Sequence, residues 1–178
     1  YTQIIIGEAD RLRKLVDRML GPRTQLQPTL CNIHEILEHV RQVVEIEASS
    51  RVVIRRDYDP SLPSLLVDRD LLVQAYLNLV RNAVRYTGAN DAIFITAVTS
   101  DEGVRITVED EGPGVAPEAL ARLGEPFYRP ETARTRETGG VGLGLAIVRS
   151  SVAACGGEVH FSNRTPHGFR AEIRLSAV

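Results

Sequence analysis

Residues 93–114 read Ile-Phe-Ile-Thr-Ala-Val-Thr-Ser-Asp-Glu-Gly-Val-Arg-Ile-Thr-Val-Glu-Asp-Glu-Gly-Pro-Gly. Ile93, Ile95 and Ala97 alternate with Phe94, Thr96 and Val98, and Val104, Ile106 and Val108 alternate with Arg105, Thr107 and Glu109. That period of two predicts strands with one buried face. The short Ser100-Asp101-Glu102-Gly103 connection makes them an antiparallel hairpin. The second strand runs into Asp110-Glu111-Gly112-Pro113-Gly114. An ionised Asp at a strand end offers acceptors only, so it takes the amino donor of an adenine and meets the carbonyl of a guanine unfavourably. Gly112 and Gly114 let a flat ring approach the backbone without Cβ interference. Taken alone, the segment reads equally well as a turn.

Outward from the hairpin the period changes. Asn32 opens a helix with Glu35 at capping-box spacing, and Ile33, Ile36, Leu37, Val40, Val43 and Val44 carry it to about Glu47. Residues 51–58 read as a strand, and the two prolines of Asp59-Pro60-Ser61-Leu62-Pro63 make a turn. A second helix runs from about Arg69 to Tyr86 with Leu72, Ala75, Tyr76, Leu79, Val80 and Ala83 on its core face, and Gly88 is expected to end it. A third, from about Leu143 to Ala154, stops at Gly156-Gly157. Two strands follow, near 158–162 and 169–175, the second with Phe169, Ala171, Ile173 and Leu175 inward. The expected fold is α+β, a two-layer sandwich of a mixed, largely antiparallel sheet with helices on one face. Ahead of it, Ile5, Ala9, Leu12, Val16 and Met19 form the seam of an amphipathic helix over residues 1–20, stopped by Gly21-Pro22, and residues 23–28 read as a linker. Such a seam must pack on the following domain or on helices of a longer protein, inside which the chain is expected to begin.

Two further segments carry chemistry. Asn78-Leu79-Val80-Arg81-Asn82, followed by Arg85-Tyr86, puts two carboxamides four residues apart on one helix face. An amide oxygen is a neutral hard ligand suited to Mg²⁺ that already carries phosphate oxygens and waters, although a polar helix face is the plainer reading of the pair alone. Gly139-Gly140-Val141-Gly142-Leu143-Gly144-Leu145-Ala146-Ile147-Val148 is a glycine loop entering an apolar helix, where uncovered amides suit phosphate. It is not a dinucleotide fingerprint, because Leu145 stands where the last glycine would fall and no strand leads into it. Between the segments, Glu125-Pro126-Phe127-Tyr128-Arg129 and the polar stretch 130–138 read as an aromatic anchor and a lid, from which Arg129, Arg134 and Arg136 are placed to reach phosphate.

Composition narrows the alternatives. The chain has 178 residues, 43% hydrophobic and 25% charged, with a formal charge of −2, the proportions of an ordinary globular protein. Its 21 basic residues are 20 arginines and one lysine, Lys14, with no glycine-rich loop before it. A Walker A loop and a eukaryotic-type protein kinase both need a lysine on the phosphates, so both are excluded. A pI near 6.1 without a basic stripe argues against nucleic acid as a partner. Cys31 and Cys155 lie far apart, giving no metal motif and suiting a reduced cytosolic pair. No apolar run approaches the roughly 18 residues of a membrane span, so a soluble chain is expected.

The order and spacing of the three segments resemble the N, G1 and G2 boxes of bacterial sensor histidine kinases, with Phe127 as the F box, over a stretch from about Gln25 to the C-terminus. Residues 1–22 resemble the second helix of the dimerisation and phosphotransfer bundle, which leaves 23–178 as the ATP-binding catalytic domain. Two subfamilies are echoed: Tyr1–Pro22 and Asp57–Pro63 look like the cytosolic nitrogen-regulation sensor kinase, and Pro126–Val148 like membrane-anchored envelope-stress sensors, as in a hybrid or a divergent chain. The resemblance implies a Bergerat ATP-binding fold with ATP and Mg²⁺ as ligands. It further implies a homodimeric parent, a bundle bearing the acceptor histidine, a response regulator receiver domain as partner, and a cytoplasmic location for this part whether or not the parent is anchored in the inner membrane.

Carried over by position, Asn82 is the expected Mg²⁺ ligand with Asn78 supporting it, and Arg85 and Tyr86 sit near the phosphates. Asp110 reads adenine, and Gly112, Gly114 and Val115 shape its pocket. Phe127, Tyr128 and Arg129 belong to the lid anchor, and Gly140, Val141, Gly142, Leu143, Gly144 and Leu145 close the phosphate side. The acceptor box is not evident, since His34-Glu35 is followed by Ile36-Leu37-Glu38-His39 without the expected proline. His34 therefore reads as a surface histidine opening a helix, and autophosphorylation is expected to need another polypeptide. The alternatives are a related ATPase of topoisomerase, chaperone or mismatch-repair type, and a silent ATP-binding regulatory module. The ATPases carry a water-activating glutamate where Asn78 stands, and an amide is no general base.

Overall fold

A computed structural model of the chain describes residues 25–49, 51–130 and 142–177. The helix expected over residues 1–20 lies outside the described residues. In chain order the elements are β1 (Thr29–Cys31), α1 (Ile33–Ala48), β2 (Val53–Tyr58), β3 (Leu65–Val67), α2 (Arg69–Tyr86), β4 (Ala92–Ser100), β5 (Gly103–Asp110), α3 (Pro117–Leu120), α4 (Gly144–Ala154), β6 (Glu158–Asn163) and β7 (Phe169–Ser176). Five strands form one sheet in the order β2-β4-β5-β7-β6, with only the β2–β4 pair parallel, because α2 carries the chain back across the layer between them.

The hairpin is seen as expected, with Ser100 opposite Gly103 and Ile93 opposite Asp110. β5 also pairs with β7, Gly103 opposite Ser176 and Glu109 opposite Arg170, so the end of β5 meets the start of β7. The apolar positions of the period-two pattern, Ile93, Ile95, Ala97, Val104, Ile106, Val108, Phe169, Ala171, Ile173 and Leu175, are all buried. Above them α2 is the middle helix, packed on β4 and β5 and flanked by α1 and α4. Leu72, Tyr76, Leu79 and Val80 of α2 join Ile33, Ile36, Leu37, Val40 and Val44 of α1 and Val148 and Val152 of α4 in one core. Each such buried Leu or Ile contributes about 1.5–3 kcal/mol.

Caps fix where the helices start. The Asn32 side chain accepts the His34 N–H at 3.0 Å. Asp68 Oδ1 accepts from the N–H groups of Asp70 and Leu71, while its other oxygen accepts the Gln27 N–H at 3.1 Å and ties the incoming chain to α2. The end of α2 departs from expectation. Thr87, in extended conformation, caps it by donating Oγ1 and N–H to the Ala83 carbonyl, and Gly88 is not left-handed. A hydroxyl that returns to the last turn makes a glycine cap unnecessary.

The antiparallel pair β1–β3 and the single turn α3 were not anticipated. His34 does open α1, but it is half-buried and its Nε2 lies 2.9 Å from the Asp59 carbonyl. Among the described residues no helix is long and apolar enough to cross a membrane.

The exposed side of α1 carries a charge cluster with a measurable signature. Glu38 pairs with Arg41 at 3.0 Å and with Arg56. Hydrogen bonding from the Arg41 guanidinium, opposed by partial burial and helped by Arg56, holds the Glu38 carboxyl down at about 2, against an ordinary 4.5. A depressed folded-state value stabilises above the ordinary value and the contribution disappears as pH falls towards 2. With Arg56 half exposed, solvent screening limits the effect to about 1 kcal/mol. Glu38→Gln is expected to lose that amount in urea unfolding at pH 7 and little near pH 2, and equal losses at both would contradict the pairing.

Candidate nucleotide-binding site

The site begins where β5 ends. Strand alternation turns Asp110 inward, leaving it 2% exposed. Its Oδ1 accepts the backbone N–H of Gly112 at 2.9 Å and of Phe169 at 3.1 Å. Burial pushes the Asp110 carboxyl up, and these two N–H groups and the charge of Arg164 pull it back. The glycines around it are steric requirements. A Cβ on Gly112 would lie 2.6 Å from the Tyr86 carbonyl oxygen, and one on Gly114, at φ +72°, would lie 2.9 Å from Asn163 Oδ1. Val115 is half-buried and held by both ends of the Asn163 amide, its N–H donating at 2.8 Å and its carbonyl accepting at 2.7 Å.

α2 brings the carboxamides to the same place. Asn78 and Asn82 are half-buried on one face, with Tyr86 half-buried and Arg85 exposed in the last turn. Asn78 Nδ2 donates to the Gln74 carbonyl at 3.0 Å, while its Oδ1 is 3.7 Å from where a Cβ on Gly144 would stand. α2 thus lies beside both other segments, with the Tyr86 carbonyl close against Gly112 and Asn78 near Gly144.

The start of α4 completes the described part. Leu143 is buried and Leu145 half-buried in the core, while Gly144 is exposed and the N-cap Leu143 offers no side-chain acceptor. Among the described residues no side chain caps the first amides of this eleven-residue helix, which suits an anion. Gly142, at φ +78°, accepts the Phe127 N–H at 3.1 Å, so the aromatic anchor and the glycine loop are joined. Phe127 itself has φ 64° and is 52% exposed. Tyr128 lies beneath the Arg122 guanidinium at 4.2 Å, and Arg129 is half-buried with its Cγ 3.0 Å from where a Cβ on Gly142 would stand. Gly140, Val141, Arg134 and Arg136 lie outside the described residues.

Residues of the far edge had not been anticipated. Gly168, at φ +114°, abuts the Asp110 carbonyl, and His167 Nδ1 lies 2.9 Å from the Glu111 carbonyl. The Phe169 contact is made by its backbone N–H, so it does not depend on the side chain at that position. An open cleft of about 420 Å³ beside the loop is lined by Tyr86, Glu111, Gly112 and His167 among others, and Asp110 is not part of its lining.

The sequence profile of the histidine kinase-, DNA gyrase B- and HSP90-like ATPases matches residues 67–178, well over half of the chain. The chain belongs to that family. It is 40% identical to the sensory histidine kinase/phosphatase NtrB of Vibrio alginolyticus over 94% of its length, covering 49% of the relative. It is 36% identical to NtrB of Proteus hauseri over 92% of its length, covering 48% of that protein. The chain therefore spans about half the length of the curated relatives it matches. Among solved structures it resembles the nucleotide-free catalytic domain of histidine kinase ThkA, with TM-score 0.75 and 27% identity over 85% of this chain and 96% of that one. It also resembles full-length ShkA in complex with AMPPNP, with TM-score 0.76 and 30% identity over 100% of this chain and 39% of that one.

The ligand of this family's site is ATP, and the residues present fit it. A buried carboxylate at the end of β5, glycines near it whose Cβ atoms would clash, and a helix start with no side-chain cap among the described residues are groups of the kind that a nucleotide requires. Among the described residues no three His, Cys, Asp or Glu side chains converge as a metal site. A divalent cation here would rest on carboxamide and phosphate oxygens, which suits a hard ion such as Mg²⁺.

Proposed function

We propose that the chain is the catalytic ATP-binding part of a two-component sensor histidine kinase. It binds Mg-ATP and presents the γ-phosphoryl group to a histidine on a dimerisation domain, for relay to a response regulator. The observation that carries this reading is the meeting on α2 of segments 110–114 and 142–145, Tyr86 against Gly112 and Asn78 against Gly144. Residues 1–22 are the second helix of the dimerisation bundle and 23–178 the catalytic domain. The parent is a homodimer with this part in the cytoplasm. A solved complex of ThkA with the response regulator TrrA, to which the chain is similar at 26% identity and TM-score 0.77, supports the choice of partner.

In this reading Asp110 accepts the adenine amino group while its other oxygen is fixed by two backbone donors. Gly112, Gly114 and Val115 shape the base pocket. The amides at Gly142, Leu143, Gly144 and Leu145 face phosphate, joined by Gly140 and Val141, and Arg85 and Tyr86 stand beside it. Phe127, Tyr128 and Arg129 anchor the covering segment. Asn82, with Asn78 in support, would hold Mg²⁺, which supplies charge neutralisation on the phosphates. The protein's own task is in-line placement and exclusion of water rather than proton transfer. Asn78 donates to its own helix and has no basic group to activate water, which separates this site from that of a hydrolytic ATPase.

Two measurements check the proposal. Asn82→Ala is expected to weaken ATP binding about tenfold or more with Mg²⁺ present and much less with a chelator, and equal losses would remove the ligand role. Added to a separate polypeptide bearing the acceptor histidine, the chain is expected to produce acid-labile phosphorylation, whereas rapid phosphate release into water would favour the ATPase reading.

A further inference from the structure

Asp110 is the middle of three consecutive acids, Glu109-Asp110-Glu111, at the end of β5. Alternation sends Asp110 inward and Glu109 to the opposite face, and Glu111 follows just beyond the strand end. Arg164, just beyond β6, meets both: Nε is 3.6 Å from Glu109 Oε2 and Nη1 is 3.6 Å from Glu111 Oε1. Its guanidinium lies 4.8 Å over the Phe94 ring, and its backbone N–H donates to the Gly168 carbonyl at 2.9 Å. The remaining oxygens are also held, Glu109 Oε1 by Arg170 at 3.3 Å and Glu111 Oε2 by the Ala92 N–H at 2.8 Å. With its side chain 23% exposed, Arg164 is screened less than a surface arginine.

We propose that Arg164 is a positioning residue for nucleotide recognition: by bridging Glu109 and Glu111 it locks the end of β5 and presents Asp110 to the base as a pure hydrogen-bond acceptor. The inference rests on the adenine-reading role given to Asp110 above. Like charges in a row repel one another, so Glu109, Asp110 and Glu111 keep this arrangement most easily with a cation spanning the outer two. Asp110 has a further burden in its burial, which Arg164 and the N–H groups of Gly112 and Phe169 oppose. The charged or titratable groups around it are Glu109, Glu111, Arg164, Arg170 behind Glu109, and His167 on the Glu111 carbonyl. Among the described residues, the two flanking carboxylates without Arg164 keep one cation, Arg170 on Glu109. A protonated Asp110 turns its free oxygen from acceptor into donor, which opposes an adenine amino group and welcomes a guanine carbonyl.

The test uses the full 178-residue chain, with R164Q to remove the charge and R164K to keep it without the fork. The Asp110 carboxyl is followed by ¹³C titration without nucleotide, and ATP and GTP affinities are measured by calorimetry from about pH 5 to pH 8. For R164Q the carboxyl midpoint is expected to rise, ATP affinity to fall several-fold at the acid end, and preference over GTP to shrink there. R164K is expected to restore most of the midpoint and of the preference. An unmoved midpoint in R164Q, or losses in R164Q and R164K that are equal at every pH, overturns the inference and leaves Asp110 as the base reader. An unaltered chain that binds no ATP overturns the reading of Asp110 itself, and this inference with it.

Discussion

Asp110→Asn is expected to lower ATP affinity by at least about 100-fold in calorimetry, with the fold intact by circular dichroism. The substitution is nearly isosteric, and the amide oxygen can still accept from Gly112 and Phe169, so the loop keeps its two anchoring bonds. What changes is the other end of the side chain. An NH₂ group replaces an acceptor and confronts the adenine amino group donor to donor, leaving two polar groups without partners at a side chain that is only 2% exposed. Selectivity follows the same logic, because the new donor suits a guanine carbonyl, so the ratio of ATP to GTP affinity is expected to fall more than either value predicts. Unchanged ATP affinity would remove Asp110 from the base pocket and, with it, the reading that joins the three segments.

That Asp110 was legible at all comes from its place in a strong local pattern. The alternation over Ile93–Glu109 fixes which residues face the core, so the residue after Glu109 must point inward, and an inward acid needs a purpose. The long helix over Arg69–Tyr86 was legible for the same reason, since its apolar spacing persists over 18 residues. The pair β1–β3 was not, because three residues per strand are too few to show alternation and each strand has its only long partner in the other. Gly88 misled because a glycine after a helix usually caps it, while here the Thr87 hydroxyl reaches back first. Asn163 ends β6, and Arg164, His167 and Gly168 sit in the turn after it, whose composition says only that the chain reverses. Their contacts with Asp110 and its neighbours exist because β5 and β7 are adjacent in the sheet though 58 residues separate the end of one from the start of the other, between Asp110 and Phe169. Sheet order of that kind is a tertiary fact, and no window of sequence contains it.

Gly168 is the position where that adjacency is least forgiving, and Gly168→Ala is expected to destabilise the chain by at least about 3 kcal/mol. Its φ of +114° is strained for any residue with a Cβ. A Cβ there would stand 1.8 Å from the Asp110 carbonyl oxygen, 2.9 Å from its carbonyl carbon and 3.3 Å from Glu111 Cα. All three are backbone atoms, so no rotamer change relieves the overlap and the β6–β7 turn must move away from β5. That movement breaks the Phe169 bond to Asp110 Oδ1 and shifts Arg164, whose N–H is bonded to the Gly168 carbonyl. Binding is therefore expected to suffer beyond the loss of stability, with ATP affinity reduced even at temperatures where the variant is folded. Gly156→Ala supplies the contrast. Gly156 also has positive φ, at +74°, but a Cβ there would meet nothing within 4 Å. Backbone strain alone then costs about 1 kcal/mol. Urea unfolding of the two variants separates the effects: equal losses would mean that strain, not the close approach of β7 to Asp110, makes Gly168 necessary.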